Sequence, residues 1–293
     1  PSLQRLHRNN SHTIEAVVTN KDKRRGRGGK LSPTPVKKKA LELNIPVIEA
    51  GDDLNEDSFY EQIAAREIDL FVVVAFRILP DRILDLPPKG SVNLHASLLP
   101  KYRGAAPIHW AVMNGEEETG CSVFFIESKV DTGDIIKQKN IEIGDNETTG
   151  EVYERLKEMG SKLLLSALDD IEDDTAARIP QKEEQVSQAP KLDREDCRLD
   201  FAQPAEKVHN KIRGLSPFPT AWTKLQEKRV NVYRSHRGPS LELDPGEFKS
   251  WKGELVVGCS DGNVILDKVQ PEGSKRITGA DFLNGYRSKG RFH

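Results

Sequence analysis

The chain is poor in the features that usually announce a function. Cysteine is rare: only Cys121, Cys197 and Cys259 occur in 293 residues, odd in number and widely spaced. That excludes a disulfide-stapled scaffold and a Cys-based zinc pattern, and it suits a reducing compartment. Methionine is scarcer still, at two, and aromatic residues make up only 6%. No apolar run is long; residues 68–76 come nearest, are interrupted by Asp69, and are too short to span a bilayer. Neither sign of charge dominates, since 44 Lys and Arg stand against 46 Asp and Glu for a net charge of -2. The chain as a whole is no magnet for nucleic acid, so any such role must come from a local patch. Also missing are a dinucleotide fingerprint behind a strand, a histidine spacing that suits a metal, and a Ser or Cys in a nucleophile-elbow context.

What is present is concentrated at residues 91–103, S-V-N-L-H-A-S-L-L-P-K-Y-R, and at 130–134, V-D-T-G-D. Asn93 and His95 are two apart on an expected strand, so both side chains leave the same face. A carboxamide and an imidazole side by side suit attack on a carbonyl: the amide donates to the developing oxyanion and the imidazole handles the proton. A carboxylate such as Asp131 can hold the imidazole and make it more basic.

Apolar patterning alternates strands and helices through the first 180 residues. Strands are expected near 14–19, 45–48, 70–75, 91–94, 121–126 and 135–139, with helices at 36–43, 57–66, 105–114 and 149–171. The run Leu70-Phe71-Val72-Val73-Val74-Ala75 is continuous, as in a strand covered on both faces. The order implies an α/β fold, a Rossmann-like, doubly wound, mainly parallel sheet whose ligands sit at the carboxyl ends of strands. The sequence opens at Pro1 inside a helical pattern, so the first strand is expected to be missing from its start. Beyond a polar connector at 181–189 the pattern changes to short β runs punctuated by Gly, Pro, Asp and Asn. That predicts a small C-terminal β-barrel over 190–293 with one helix near 205–212. Trp222, Tyr233 and Trp251 are expected in or against its core. The second local concentration of charge is residues 21–39, with nine Lys or Arg against Asp22 alone. Gly26, Gly28 and Gly29 make this segment pliable enough to order against phosphates.

The stretch N-L-H-A-S-L-L-P-K-Y-R-G-A-A-P-I from Asn93, followed by D-T-G-D from Asp131, resembles the 10-formyltetrahydrofolate-dependent formyltransferases. Within that family, T-N-K-D-K-R-R-G-R-G-G-K-L-S-P-T-P-V-K from Thr19 resembles the basic insertion of the branch acting on methionyl-tRNA. R-G-L-S-P-F-P-T-A-W-T from Arg213 and A-D-F-L-N-G-Y-R from Ala280 resemble the C-terminal signals of that branch. The resemblance runs from Pro1 to His293. It departs at Lys21, where the family usually has Pro, and at residues 75–80, one residue shorter than the commoner A-Y-G-x-I-L-P. The family's first strand and its G-T-P-E-F-like turn are absent.

The resemblance implies transfer of a formyl group from 10-formyltetrahydrofolate to the amino group of methionyl-tRNA for translation initiation. It implies catalytic roles for Asn93, His95 and Asp131 and folate contacts from Ser97, Leu98, Leu99 and Pro100. It implies tRNA contacts from Arg24, Arg25, Arg27 and Lys30, and an OB-like barrel at 190–293 that helps grip the RNA. The expected partners are a charged initiator tRNA and the folate co-substrate. No metal and no membrane are expected, the protein is expected to act as a monomer, and the location is a bacterial-type cytoplasm with an organelle matrix left open. The alternatives are a formyltransferase acting on an amino sugar and a non-catalytic RNA-binding relative.

Overall fold

The computed structural model describes residues 1–9, 11–25, 29–285 and 289–293. The described residues divide into two compact units. One comprises Pro1–Lys101, Gly120–Lys139 and Leu156–Val186; the other comprises Tyr102–Thr119, Asn140–Arg155 and Ser187–His293.

The chain opens with helix α1 (Ser2–Arg8), strands β1 (Val17–Asn20), β2 (Lys23–Arg25) and β3 (Lys30–Ser32), and helix α2 (Pro35–Glu42). Strand β4 (Val47–Ala50), helix α3 (Asp57–Ala64), strand β5 (Phe71–Val73), the short helix α4 (Asp81–Leu84) and strand β6 (Ser91–His95) follow. Then come helix α5 (Pro107–Met113), strands β7 (Glu118–Phe125) and β8 (Ile135–Glu142), and the long helix α6 (Thr149–Glu172).

Local chemistry explains the helix starts. Pro35 sits in the first turn of α2, where its missing N–H costs nothing, and the Thr34 hydroxyl accepts from Lys37 N at 3.2 Å. Ahead of α6, Thr148 and Glu151 form a reciprocal capping box: Glu151 Oε2 accepts from Thr148 N at 2.8 Å and Thr148 Oγ1 from Glu151 N at 3.4 Å. Val152, Leu156, Leu163, Leu164, Ala167 and Leu168 of α6 are buried at helical spacing, as the pattern requires.

The first unit is α/β, as expected. β1 and β4 pair in parallel, and so do β5 and β6, whereas β6 and β7 are antiparallel. The two ladders run β1-β4 and β5-β6-β7-β8. The second ladder is thus mixed, a common arrangement in α/β folds. β5 is only half buried despite its apolar run, and Val74 just beyond it is 43% exposed. Its place at the end of its ladder explains this, because no strand among the described residues pairs with its other side. Ile48, Ala50, Leu54, Phe59, Ile63 and Ile83 form the core beneath.

The second unit continues with helix α7 (Ala205–Gly214) and strands β9 (Ala221–Leu225), β10 (Lys228–Arg237), β11 (Glu247–Trp251), β12 (Glu254–Gly258), β13 (Asn263–Pro271) and β14 (Ile277–Thr278). Helix α8 (Gly279–Gly285) and strand β15 (Lys289–Arg291) complete it. The sheet order is β15-β11-β12-β13-β10-β9, with β14 on β13. Register shifts after Val232 and Arg234 bend β10. The sheet curls until its outer edges meet: Leu225 bridges Phe292, and Lys224 and His293 exchange backbone hydrogen bonds of 3.0 and 2.9 Å. This is the expected C-terminal barrel. Phe248, Phe282 and Phe292 pack ring against ring at its centre, at 4.7–6.1 Å between centroids. Trp222 and Tyr233 are buried, as expected of core, and Trp251 is half buried. Asn284 and Gly285 end α8; Tyr286 and Arg287 lie outside the described residues. No helix among the described residues is long and apolar enough to cross a membrane.

His209 on α7 links burial to pH. It is 4% exposed, with Nε2 2.9 Å from the Asp145 carbonyl and Nδ1 2.9 Å from Ser235 Oγ. A carbonyl can only accept, so Nε2 carries the hydrogen and Nδ1 accepts from the serine hydroxyl. Burial pushes the imidazole below its usual range, against the opposing effect of the Asp145 carbonyl. The unfolded chain, with His near pH 6.5, therefore takes up a proton before the folded one. The stability this site confers is complete above about pH 6.5 and declines as pH falls below it. His209→Gln should flatten the decline in urea midpoint between pH 7.5 and 5.5; a decline as steep as in the parent would refute this assignment.

Candidate active site

Asn93 and His95 lie on β6, in the middle of its ladder. Alternation sends Ser91, Asn93 and His95 to one face and Val92 and Leu94 to the other. Asn93 faces Val73 of β5 and Phe124 of β7 in register, and His95 faces Ser122. Asn93 is half buried and His95 is 7% exposed.

Asp131 reaches His95 from the turn between β7 and β8. Its Oδ2 stands 3.7 Å from His95 Nδ1, with both side chains nearly excluded from water. That distance lies within ion-pair reach but beyond a hydrogen bond. The turn is tightly specified. Asp131 adopts φ +57°, a left-handed conformation that Asp tolerates better than most residues. At Gly133 a Cβ would overlap the Phe125 carbonyl oxygen and sit 2.9 Å from its carbon. Phe125 N donates to Asp134 O at 2.9 Å, and Thr132 Oγ1 donates to Lys129 O at 3.1 Å. The amide of Gln181 donates to the carbonyls of Asp131 and Gly133, at 2.9 and 2.8 Å.

The neighbouring segment from Ser97 to Pro100 is held as firmly. Ser122 Oγ donates to Ser97 O at 2.7 Å and accepts from Leu99 N at 3.0 Å and Gln138 Nε2 at 2.7 Å. One hydroxyl thus uses its donor and both lone pairs. Gln138 also donates to Leu99 O at 2.9 Å. Ser97 is fully buried and its hydroxyl donates to Lys101 O at 2.6 Å. Leu99 packs into the core with Phe124 and Ile135, and Pro100 is also buried. Among the four residues expected at a folate, Leu98 is the half-buried one; the side chains of Ser97 and Leu99 face inward.

Apolar surface lies close in sequence to the same strand ends. Val74 follows β5, whose Val73 faces Asn93, and Val130 precedes Asp131; they are 43% and 52% exposed, and Ile78 is 75% exposed. Exposed aliphatic side chains of this kind offer apolar surface to a ring-bearing ligand. The shortened segment at 75–80 is anchored: Arg77 donates to Gly51 O and Asp52 O, at 2.8 and 3.0 Å. Among the described residues no cluster of His, Cys, Asp or Glu is arranged to hold a metal.

The basic segment, read from sequence as pliable throughout, is a hairpin at its flanks. β2 and β3 pair with Lys23 opposite Ser32, Arg24 opposite Leu31 and Arg25 opposite Lys30. Arg24 is exposed and its guanidinium donates to Gly29 O at 3.4 Å. Arg27 lies outside the described residues. Part of the apparent charge is already neutralised: Lys37, on α2, pairs with Asp22 at 2.7 Å and also with Glu49. The side chains holding the backbone here that sequence reading missed are Ser122, Gln138 and Gln181. All three act through contacts distant in sequence, and no local motif marks them.

Comparison with known proteins finds relatives along nearly the whole chain. Residues 2–168 match the family model described as formyl transferase, and residues 191–287 match the formyl transferase C-terminal domain. A methionyl-tRNA formyltransferase of Porphyromonas gingivalis is 41% identical over 298 residues, covering 98% of this chain and 92% of that one. One from Moorella thermoacetica is 43% identical over 289 residues, with the same coverage of 98% and 92%. Among solved structures, an N-formyltransferase of Helicobacter canadensis in complex with folinic acid and dTDP-3-aminofucose superposes with a TM-score of 0.69. It is 21% identical and covers 90% of this chain and 93% of that one. HypX of Aquifex aeolicus in complex with tetrahydrofolic acid gives a TM-score of 0.62 at 21% identity, covering 84% of this chain and 43% of that one.

The turn that presents Asp131 depends on the absence of a side chain at residue 133. Gly133→Ala should destabilise the protein by about 1–3 kcal/mol, the usual cost of overpacking a fixed contact. A urea midpoint equal to the parent's would contradict the close approach to Phe125.

Proposed function

Because this chain belongs to the formyl transferase family, we propose that its site passes the formyl group of 10-formyltetrahydrofolate to the amino group of methionyl-tRNA. The observation that carries the choice of acceptor is the identity of 41–43% with methionyl-tRNA formyltransferases across nearly the whole chain. The neighbour solved with an amino-sugar nucleotide stands at 21%. The amino-sugar alternative is not favoured, and a non-catalytic relative would not need Asn93, His95 and Asp131 together.

The formyl carbon takes the neutral amine of the acceptor as its nucleophile. A new C–N bond forms, and the bond from that carbon to the folate nitrogen breaks. His95 accepts the proton the amine must lose and returns one to the departing nitrogen. Asp131 faces Nδ1, which orients the ring so that Nε2 serves the reacting atoms. The Asn93 amide donates to the carbonyl oxygen as negative charge builds there; removing one such donor typically costs about 100- to 1000-fold in rate.

Leu98 and the exposed Val74, Ile78 and Val130 flank the folate, beside the firmly held segment of Ser97, Leu99 and Pro100. Arg24, Arg25, Arg27 and Lys30 meet the phosphates of the acceptor stem. Residues 1–180 form the catalytic part, 181–189 the connector and 190–293 an OB-like barrel that grips the RNA. The acceptor is the initiator tRNA, and the protein works as a monomer in a bacterial cytoplasm.

The test offers 10-formyltetrahydrofolate with methionyl-tRNA, uncharged tRNA or a nucleotide-linked amino sugar, and follows release of tetrahydrofolate. Turnover is expected with methionyl-tRNA alone. Turnover with the sugar, or with none of the three, would overturn the reading. Neutralising Arg24, Arg25 and Arg27 together should raise the KM for tRNA and lower its salt slope by about 0.7–0.9 for each phosphate that is no longer neutralised.

A further inference from the structure

Gln181 lies in the polar connector, where the sequence suggests no chemistry. Its side chain nonetheless sits against the turn that carries Asp131. One –NH2 group donates to two carbonyl oxygens of that turn, Asp131 O at 2.9 Å and Gly133 O at 2.8 Å. Two residues earlier, Ile179 exchanges both backbone hydrogen bonds with Ile135, at 2.9 and 3.0 Å, just past the other end of the turn. Gln181 is therefore tied by its backbone neighbourhood to the same element that its side chain clamps.

The clamped turn has little freedom and some strain. A non-glycine residue at φ +57° persists only where its surroundings over-determine it. The contact of Gly133 with Phe125 fixes one side of the turn, and Gln181 fixes the carbonyls on either side of Thr132. The quantity that depends on this is the 3.7 Å gap between Asp131 Oδ2 and His95 Nδ1. It is so close to hydrogen-bond length that a small rotation at Asp131 makes or breaks the bond. Charged groups on and against the turn include Asp131, Lys129 and Asp134 within it, Glu127 against Gly133, and Arg178, whose guanidinium stacks 3.9 Å over the Phe125 ring.

We propose that Gln181 is a positioning residue for formyl transfer: by holding the carbonyls of Asp131 and Gly133 with one amide, it sets the reach of the Asp131 carboxylate to His95. The proposal rests on the reading of His95 and Asp131 as the catalytic pair. A glutamine suits the task because it brings two donors and no charge. Glutamate of the same shape would set acceptor against acceptor and add a negative charge beside Asp131; leucine would remove the donors alone.

The experiment compares the parent, Gln181→Leu, Gln181→Glu, Asp131→Asn and the double variant Gln181→Leu/Asp131→Asn, each shown to be folded by its urea transition. The readouts are kcat, the KM for each substrate, and the pH dependence of kcat. Gln181→Leu should lower kcat on the order of 10- to 100-fold, since a misplacement of about 1 Å can cost about 100-fold. Both KM values should stay within about twofold, and the pH profile of kcat should shift, as expected for an interaction made in the transition state. In the Asp131→Asn background the same change should cost nothing further. If the leucine variant does not fold, the uncharged, donor-free Gln181→Met carries the same comparison in the parent and Asp131→Asn backgrounds. An equal loss in both backgrounds, or a raised KM with unchanged kcat and pH profile, would overturn the proposal. Full activity of Gln181→Leu beside an impaired Asp131→Asn would overturn the role of Gln181 alone. Full activity of Asp131→Asn would overturn the catalytic pair, and this proposal with it.

Discussion

The site depends on a carboxylate held out of water beside an imidazole, on a turn that could not form with most other sequences. Asp131 must take a left-handed backbone, and Gly133 must let its own backbone press against Phe125. Phe125 is the last residue of β7, and β7 pairs with β6, which carries Asn93 and His95. The same two strands therefore fix both halves of the proposed catalytic arrangement. The histidine is set by strand register and the aspartate by the turn packed on the neighbouring strand. Buried side chains at a few ångströms interact with little screening, so geometry rather than overall charge governs this pair.

A second set of constraints stiffens the segment beside the pair. The Ser122 hydroxyl and the Gln138 amide hold the backbone from Ser97 to Leu99 through three hydrogen bonds and are joined to each other by a fourth. Leu99 is driven into the core at the same time. The result is a firmly held segment in which Ser97, Leu99 and Pro100 are buried and Leu98 is half buried.

Much of this was legible in the sequence because the decisive residues are close together along the chain. Asn93 and His95 share a strand face by simple alternation, and the apolar stripe of α6 repeats at helical spacing. The alternation of elements carried the α/β class, and the punctuated β runs carried the barrel. What stayed hidden was long-range. Ser122 and Gln138 are ordinary polar residues on strands until folding brings them to Leu99. Gln181 reads as connector until it meets a turn some fifty residues earlier in the chain. Leu98 and Leu99 look alike in sequence, and only the anchoring of the Leu99 backbone by Ser122 and Gln138 shows which one enters the core. The flanks of the basic segment pair as a hairpin, Lys23–Arg25 against Lys30–Ser32, a pairing that net charge does not reveal.

The account stands on His95 as the group that moves the proton. The most direct measurement is a single-turnover rate with both substrates pre-bound, comparing the parent with His95→Ala and recording the affinity of each for methionyl-tRNA and the folate. The account predicts near-parent affinities and a formyl-transfer rate lowered on the order of 100- to 10,000-fold, the usual contribution of a positioned general base. A folded His95→Ala protein that transfers formyl at close to the parent rate would contradict it.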